Sequence, residues 1–151
     1  MKKLIFTLAL VSGIVVSQAQ MLSPVQWTFT SKKIADKTYE IHLTANIDNG
    51  WHLYSQNQPS DAINLPTEVA FNKNPLVSLD GKAKEVGKLI QYKDKKLGIS
   101  ANQYKDEVDF VQKLKVKVNA KTNISGTIAF QVCDDKKCLP PKTLTFNVAL
   151  N

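Results

Sequence analysis

The chain has 151 residues, a formal net charge of +7 and 20 basic residues, all of which are lysine. Proteins that read nucleic acids depend on arginine for bidentate contacts to bases and phosphates, and these lysines are spread along the whole chain. The composition therefore argues against nucleic-acid binding. It favours one domain with a lysine-rich surface, long enough to bury a core without staples.

The first 19 residues have the pattern of a secretory signal peptide. Two lysines precede an apolar run over residues 4–16, and Ser17 and Ala19 supply small side chains where a signal peptidase reads. A short membrane anchor is the alternative, but about 13 apolar residues are fewer than the roughly 20 that a span needs. We expect cleavage after Ala19, export of the protein, and a mature domain over residues 20–151 whose thiols meet an oxidising compartment.

Alternation of apolar and polar residues dominates the rest of the chain and predicts β-strands. In the first long run, alternate residues from Tyr39 to Ile47 are apolar. Further long runs cover residues 108–118, 124–132 and 143–150, and shorter ones cover 25–29, 51–53, 69–71 and 89–92. Turn signals separate them at 48–50, 72–75, 80–81 and 119–123. About seven to nine short strands of this kind predict an all-β fold with two antiparallel sheets packed face to face.

The two cysteines lie in the stretch QVCDDKKCLPPKT and flank a predicted four-residue hairpin loop. Residues that face each other across a hairpin are about 4.5–5.5 Å apart at Cα, so Cys133 and Cys138 should form a disulfide. Closing a loop of about six residues stabilises a fold by only roughly 2 kcal/mol. Structural stabilisation is therefore a poor account of the pair, although an inert hairpin disulfide stays open as the alternative.

The charges beside the two cysteines differ. Lys136 and Lys137 directly precede Cys138, whereas two aspartates directly follow Cys133. Nearby positive charge lowers the pKa of a thiol, and nearby negative charge raises it. The sequence therefore favours a thiolate at the second cysteine, in a polar loop where at least one sulfur should be accessible.

A metal site is a weaker alternative for the cysteines. Zinc in structural sites takes four ligands, and only His42 and His52 could add nitrogen ligands to the two sulfurs. His42 lies on the polar side of its predicted strand, so we expect it to face solvent. We therefore predict no metal at the cysteine pair.

Three features together resemble the N-terminal periplasmic domain family of DsbD, the thiol:disulfide interchange protein. They are the string FQVCDDKKCLPPKTLTF, the earlier string DNGWHLYSQNQP, and the exported, β-rich character of the chain. The likeness covers residues 24–150. It implies an immunoglobulin-like sandwich with one redox-active disulfide, Cys133–Cys138, on a hairpin. It also implies that Cys138 is the sulfur that enters mixed disulfides.

The resemblance further implies that an aromatic pair lies beside the cysteines. In this chain the corresponding stretch runs from Trp51 to Tyr54. Alternation places Trp51 and Leu53 in the core, which turns His52 and Tyr54 towards the redox pair. Ordinary surface residues are the alternative for both positions.

A cap loop over the disulfide is the other feature that the resemblance implies. By position its counterpart is the segment 92–98, with Leu97 where the family has an aromatic lid. This departure weakens the expectation of tight shielding, and a lysine-rich loop in solvent is the alternative.

Taken together, the residues and the resemblance favour a periplasmic thiol–disulfide exchange domain that relays electrons. A membrane-embedded thiol reductase would donate them and oxidised thioredoxin-like proteins would accept them, by thiolate attack through a mixed disulfide and without a cofactor. The sequence shows no membrane domain, so we expect either that a separate membrane protein supplies the electrons or that the module serves another function. A non-catalytic immunoglobulin-like binding module is the main alternative, and a metallochaperone-like domain is a third. We expect a monomer.

Overall fold

The structure is a computed structural model that describes residues 22–118 and 121–150. The predicted signal peptide and its cleavage site lie outside the described residues, as does part of the predicted turn at 119–123. Within the two described ranges, no helix is long and apolar enough to span a membrane.

Antiparallel strands make up the fold throughout the described chain. The eleven strands found there are β1 (Val25–Ala35), β2 (Thr38–Ile47), β3 (His52–Tyr54), β4 (Glu68–Phe71), β5 (Val77–Gly87), β6 (Ile90–Asp94), β7 (Ile99–Tyr104), β8 (Glu107–Val116), β9 (Thr122–Phe130), β10 (Val132–Cys133) and β11 (Lys142–Leu150). They form a β2 sheet (order β1-β2-β8-β5), a β3 sheet (order β10-β3-β7-β6) and a β9 sheet (order β11-β9-β4). The prediction of an all-β, antiparallel fold is confirmed.

The buried core follows the predicted alternation. Alternate residues are buried along β2 and β8, and a similar pattern runs along β9. The fully buried apolar side chains include Ile41, Leu43, Leu53, Val108, Phe110, Leu114, Ile124 and Ile128. Each such side chain stabilises the fold by about 1.5–3 kcal/mol. A slip of one residue would turn a whole buried face to solvent, so this core also specifies the strand register.

Aromatic side chains join the β2 sheet to the β9 sheet. The ring centroid of Trp27 lies 5.9 Å from that of Phe110 and 5.2 Å from that of Phe130. The ring centroid of Phe29 lies 5.6 Å from that of Phe146. The inner faces of two sheets therefore pack against each other, and the molecule is an immunoglobulin-like antiparallel β-sandwich.

The alternation of apolar and polar residues does not predict two of the observed strands, β5 and β7. The predicted turn at residues 80–81 instead lies inside β5 as an irregularity in its pairing with β8. Gly81 there has a φ of 69°, a left-handed conformation that glycine adopts readily. The buried side-chain amide of Gln112 donates to the backbone oxygens of Asp80 and Gly81 at 3.2 and 3.3 Å. β5 is a mostly exposed strand at the edge of its sheet. It therefore lacks the regular apolar face by which a sequence indicates a strand.

The strand predicted over residues 124–132 divides between two sheets. β9 ends at Phe130 and pairs with β4 and β11, whereas β10 pairs with β3. In that second pairing Val132 lies opposite Leu53, and Cys133 lies opposite His52. Alternation records which side chains are buried but does not record which neighbour takes the backbone hydrogen bonds. The cysteines therefore lie in the segment between β9 and β11, where the chain leaves the β9 sheet and pairs with the β3 sheet.

Candidate functional site

The cysteine hairpin is a small, closed unit of backbone. Cys133 and Cys138 are joined in a disulfide with their Cα atoms 4.0 Å apart. The N–H of Asp134 donates to the oxygen of Lys137 at 2.9 Å, and the N–H of Leu139 donates to the oxygen of Val132 at 2.9 Å. The predicted disulfide is present, and hydrogen bonds on both sides of it hold the same two chain segments together.

Asp134 holds the turn between the cysteines. One of its carboxylate oxygens accepts the backbone N–H groups of Lys136 and Lys137, both at 2.7 Å. These two hydrogen bonds lower the pKa of Asp134, and the lysine charges lower it further. The carboxylate therefore stays ionised and organises the loop, while the two lysine side chains extend into solvent beside Cys138.

The two sulfur-bearing residues differ in their exposure. Cys133 is only 1% exposed and lies in β10, whereas Cys138 is exposed at the end of the loop. Thiol–disulfide exchange requires an incoming sulfur to reach the sulfur that it attacks. Cys138 is therefore the more accessible of the two cysteines.

His52 and Tyr54 form a wall behind the buried cysteine. His52 lies opposite Cys133 across the β3–β10 pair, and Tyr54 packs with Cys133 and Ala101 in a small buried cluster. The Nε2 atom of His52 lies 3.1 Å from the Tyr54 hydroxyl, and the two rings meet edge to face. Both side chains are buried. The expected orientation towards the cysteines is what the structure shows, and neither is an ordinary surface residue.

Burial shifts the pKa values of both side chains in this wall. It lowers the pKa of His52, and the charge of Lys105 lowers it further, while Asp135 and Asp134 act in the opposite direction. Burial also raises the pKa of Tyr54. Near neutral pH the wall therefore consists of a neutral imidazole and a neutral phenol, which together make a poorly hydrated back to the disulfide.

Leu97 lies in the turn that joins β6 to β7. It is 71% exposed, and its N–H donates to the side chain of Asp94 at 3.0 Å. It precedes by four residues Ala101, the residue of β7 that packs with Cys133 and Tyr54. A lid role for Leu97 stays a prediction.

Tyr92 is the residue of the same segment that shares a face with the cysteine wall. It pairs with Ala101, which packs in the cluster of Tyr54 and Cys133. Opposed residues in antiparallel strands project to the same face of a sheet. At 47% exposure, Tyr92 extends the wall outwards as a partly accessible aromatic surface. The sequence gives no sign of this pairing, because β7 has no clear apolar side.

A network of hydrogen bonds supports the short strand β3. The carboxylate of Glu85 accepts hydrogen bonds from the hydroxyls of Ser55 and Tyr104 at 2.7 and 2.9 Å, and from the N–H of Gln56 at 2.5 Å. Burial, followed by the nearby Glu85, raises the pKa of Tyr104. The hydroxyl of Thr67 donates to the backbone oxygen of Tyr54 at 2.6 Å. These bonds tie β3 to β5 and to the following loop, so the wall has a firm support.

His42 lies in a different sheet from the cysteines. Its Nδ1 atom lies 2.6 Å from a carboxylate oxygen of Asp109, on the partly exposed face of β2 and β8. Among the residues that the structure describes, no group of three potential metal-binding side chains comes together.

Two solved structures show the same fold at low sequence identity. The N-terminal periplasmic domain of ScsB from Proteus mirabilis is 17% identical with a TM-score of 0.51, and the match covers 82% of this chain and 44% of that one. The complex between the DsbD N-terminal and PilB N-terminal domains from Neisseria meningitidis gives 14% identity, a TM-score of 0.50, and coverage of 85% and 87%. This chain thus spans less than half of the Proteus structure.

The sequence itself carries the assignment to a family. No curated protein sequence matches the chain. The family of the thiol:disulfide interchange protein DsbD, N-terminal part, matches residues 18–150, which includes both cysteines and the wall behind them. The resemblance drawn from the cysteine hairpin is confirmed, and the chain belongs to the DsbD N-terminal domain family.

Proposed function

We propose that this domain relays electrons in the periplasm by cycling Cys133 and Cys138 between disulfide and dithiol. Family membership and the disulfide-forming pair support thiol–disulfide exchange in general. The observation that carries the finer proposal is the contrast within the pair. An exposed Cys138 in a preformed loop can meet another protein, while Cys133 is buried against His52 and Tyr54.

Every bond that is broken or formed between heavy atoms in this exchange joins two sulfurs, so no cofactor takes part. A thiolate of the electron donor attacks Cys138, a donor–Cys138 disulfide forms, and Cys133 leaves as a thiolate. The second donor thiol then attacks its own bound sulfur and releases Cys138, so the donor is oxidised and this domain is reduced. The same two steps in reverse reduce an acceptor disulfide. The protein provides access to one sulfur and a fixed position for the other.

The partners that fit this proposal are a membrane-embedded thiol reductase as donor and oxidised thioredoxin-like proteins as acceptors. The Neisseria structure shows a DsbD N-terminal domain bound to another protein domain, and the Proteus structure is of a periplasmic domain. By analogy, this chain would act in the periplasm on protein disulfides. The preformed hairpin with one exposed cysteine is suited to a partner that presents its own cysteine pair.

Measurement of the reduction potential tests the proposal. Structural disulfides typically lie below about −300 mV, whereas disulfides that exchange lie higher. We expect the purified domain, equilibrated in dithiothreitol buffers, to lie above that value. We also expect the reduced domain to reduce an oxidised thioredoxin-like periplasmic protein when the two are mixed and the reaction is then quenched. A lower potential without any transfer would favour the alternative of a binding module with an inert hairpin disulfide.

A further inference from the structure

One buried polar atom next to the disulfide has no hydrogen-bond partner among the residues that the structure describes. The Nδ1 atom of His52 is buried and makes no hydrogen bond within the described part of the chain, although the side chain is only 8% exposed. Buried polar atoms are nearly always satisfied, so an exception calls for a physical reason. The other ring nitrogen, Nε2, is already engaged with the Tyr54 hydroxyl.

The position of this atom relates it to Cys133. His52 and Cys133 are directly opposed across the β3–β10 pair, which places their Cβ atoms about 4.5–5.5 Å apart on one face. In the oxidised protein the sulfur of Cys133 carries no hydrogen, so it cannot donate to the ring. After reduction, the same sulfur becomes a thiol, and a thiol can donate to an imidazole nitrogen.

Solvent is a poor base for this thiol. Cys133 is 1% exposed, so water has little access to it. A thiol must nevertheless lose its proton before it can attack a disulfide, because the thiolate is the nucleophile. A buried thiol that has to become a thiolate requires a base within the protein, and neighbouring histidines activate cysteine in this way.

We propose that Nδ1 of His52 accepts the proton of the Cys133 thiol when the reduced domain passes its electrons on, an inference that rests on the exchange function proposed above. The Cys138 thiolate first attacks an acceptor disulfide, which forms a Cys138–acceptor disulfide and releases one acceptor thiolate. The proton of Cys133 then moves to His52. The Cys133 thiolate attacks the Cys138 sulfur, the Cys133–Cys138 bond forms, and the second acceptor sulfur leaves as a thiolate.

The protons and electrons of this sequence balance. Two electrons pass from the two cysteines to the acceptor disulfide, which becomes a dithiol. The imidazolium of His52 returns its proton to the departing acceptor thiolate, and solvent protonates the first. In the opposite direction, when a donor opens the disulfide, His52 takes a proton from solvent and passes it to the Cys133 thiolate.

The charged groups around His52 suit a base that starts out neutral. Lys105 follows β7, and Asp134 and Asp135 lie in the cysteine loop; all three act on the ring. Burial, with the help of Lys105, lowers the pKa of His52. The ring therefore has a free lone pair near neutral pH, and Tyr54 holds the Nε2 edge. The two nearby carboxylates can stabilise the imidazolium that forms during the step.

A partner-free experiment tests the contact between His52 and Cys133. The chain has two histidines, so His42, in the other sheet, is an internal control. We expect the ¹⁵N resonance of His52 Nδ1 to shift when the protein is reduced with a phosphine, while the His42 ring stays unchanged. Equal behaviour of the two rings would overturn the inference. Because no partner is used, this result does not depend on the relay.

A kinetic experiment tests the proton transfer itself. The His52→Gln variant should still form the mixed disulfide through Cys138. The attack of Cys133 that closes the Cys133–Cys138 bond should be tenfold or more slower than in the wild type, because general bases contribute roughly 10²–10⁴-fold. Its closing rate should also rise more steeply between pH 6 and pH 8 than that of the wild type. His42→Gln is the matched control and should close at the wild-type rate. Wild-type rates and pH dependence in His52→Gln would refute the base. A failure of every variant to form the mixed disulfide would instead count against the exchange function.

Discussion

Cys133 and Cys138 are bonded to each other but belong to different environments, since Cys133 is buried opposite His52 whereas Cys138 lies at the surface. The asymmetry comes from the backbone. Cys133 is held in β10 by its pairing with β3, while Cys138 follows a turn that Asp134 closes. In the exchange function proposed above, this arrangement would give Cys138 the contact with a partner and Cys133 the resolution of the mixed disulfide.

Variants of the two cysteines should therefore trap partners unequally. Cys133→Ser leaves an accessible thiol at Cys138 without its resolving partner, so it should accumulate a stable mixed disulfide with an oxidised thioredoxin-like periplasmic protein. Cys138→Ser leaves only a buried thiol and should trap far less. Non-reducing electrophoresis measures both, with the variant that lacks both cysteines as the blank. Equal trapping by the two single variants would contradict the asymmetry.

The parts of the fold that were predictable from the sequence are those that bury one regular face. Alternation identifies β2, β8, β9 and β11 because their apolar residues meet a common core. It also turns His52 and Tyr54 to the side opposite Leu53, which is the side of the cysteines. The spacing of the cysteines was sufficient to predict the disulfide.

The remaining features depend on which strands become neighbours, and the local pattern does not contain that information. β5 is an exposed edge strand, and the sequence of β7 has no clear apolar side. The change of sheet at Gln131 and the bonds that Glu85 accepts from Ser55 and Tyr104 join segments that are far apart in the chain. For the same reason the sequence does not show that Tyr92 pairs with Ala101 and so lies on the face of the β3 sheet that carries Cys133.

Reduction of the disulfide should leave the fold intact. The loop that it closes is short, so the disulfide stabilises the fold by no more than about 2 kcal/mol. Backbone hydrogen bonds from Asp134 and Leu139 already hold the hairpin together. Chemical denaturation of the oxidised protein and of the reduced protein gives the difference in unfolding free energy. Global unfolding upon reduction would instead favour a structural role for the bond.

Removal of the Asp134 side chain should loosen the cysteine loop without unfolding the domain. Asp134→Ala loses the acceptor for the N–H groups of Lys136 and Lys137, so their amide hydrogens should exchange faster. Asp135→Ala keeps those hydrogen bonds and is the matched control. Hydrogen exchange followed by NMR measures each amide separately. Unchanged exchange at both lysines in Asp134→Ala would show that the turn is held by other contacts.

Acidification should lower the free energy of unfolding through the buried imidazole of His52. Its pKa in the folded protein lies below the ordinary value of 6.5, chiefly because of burial, so the unfolded chain binds this proton more readily. Stability is therefore complete above pH 6.5 and falls as the pH drops through 6.5 towards the folded-state pKa, by at most about 1.4 kcal/mol per pH unit. His52→Phe removes this proton uptake, so its unfolding free energy should vary less between pH 7.5 and pH 5 than that of the wild type, whatever its stability at pH 7.5. His42 is present in both proteins and cancels in the comparison. Denaturation at each pH measures the two slopes, and parallel slopes would show that His52 takes up its proton as easily in the folded chain as in the unfolded one.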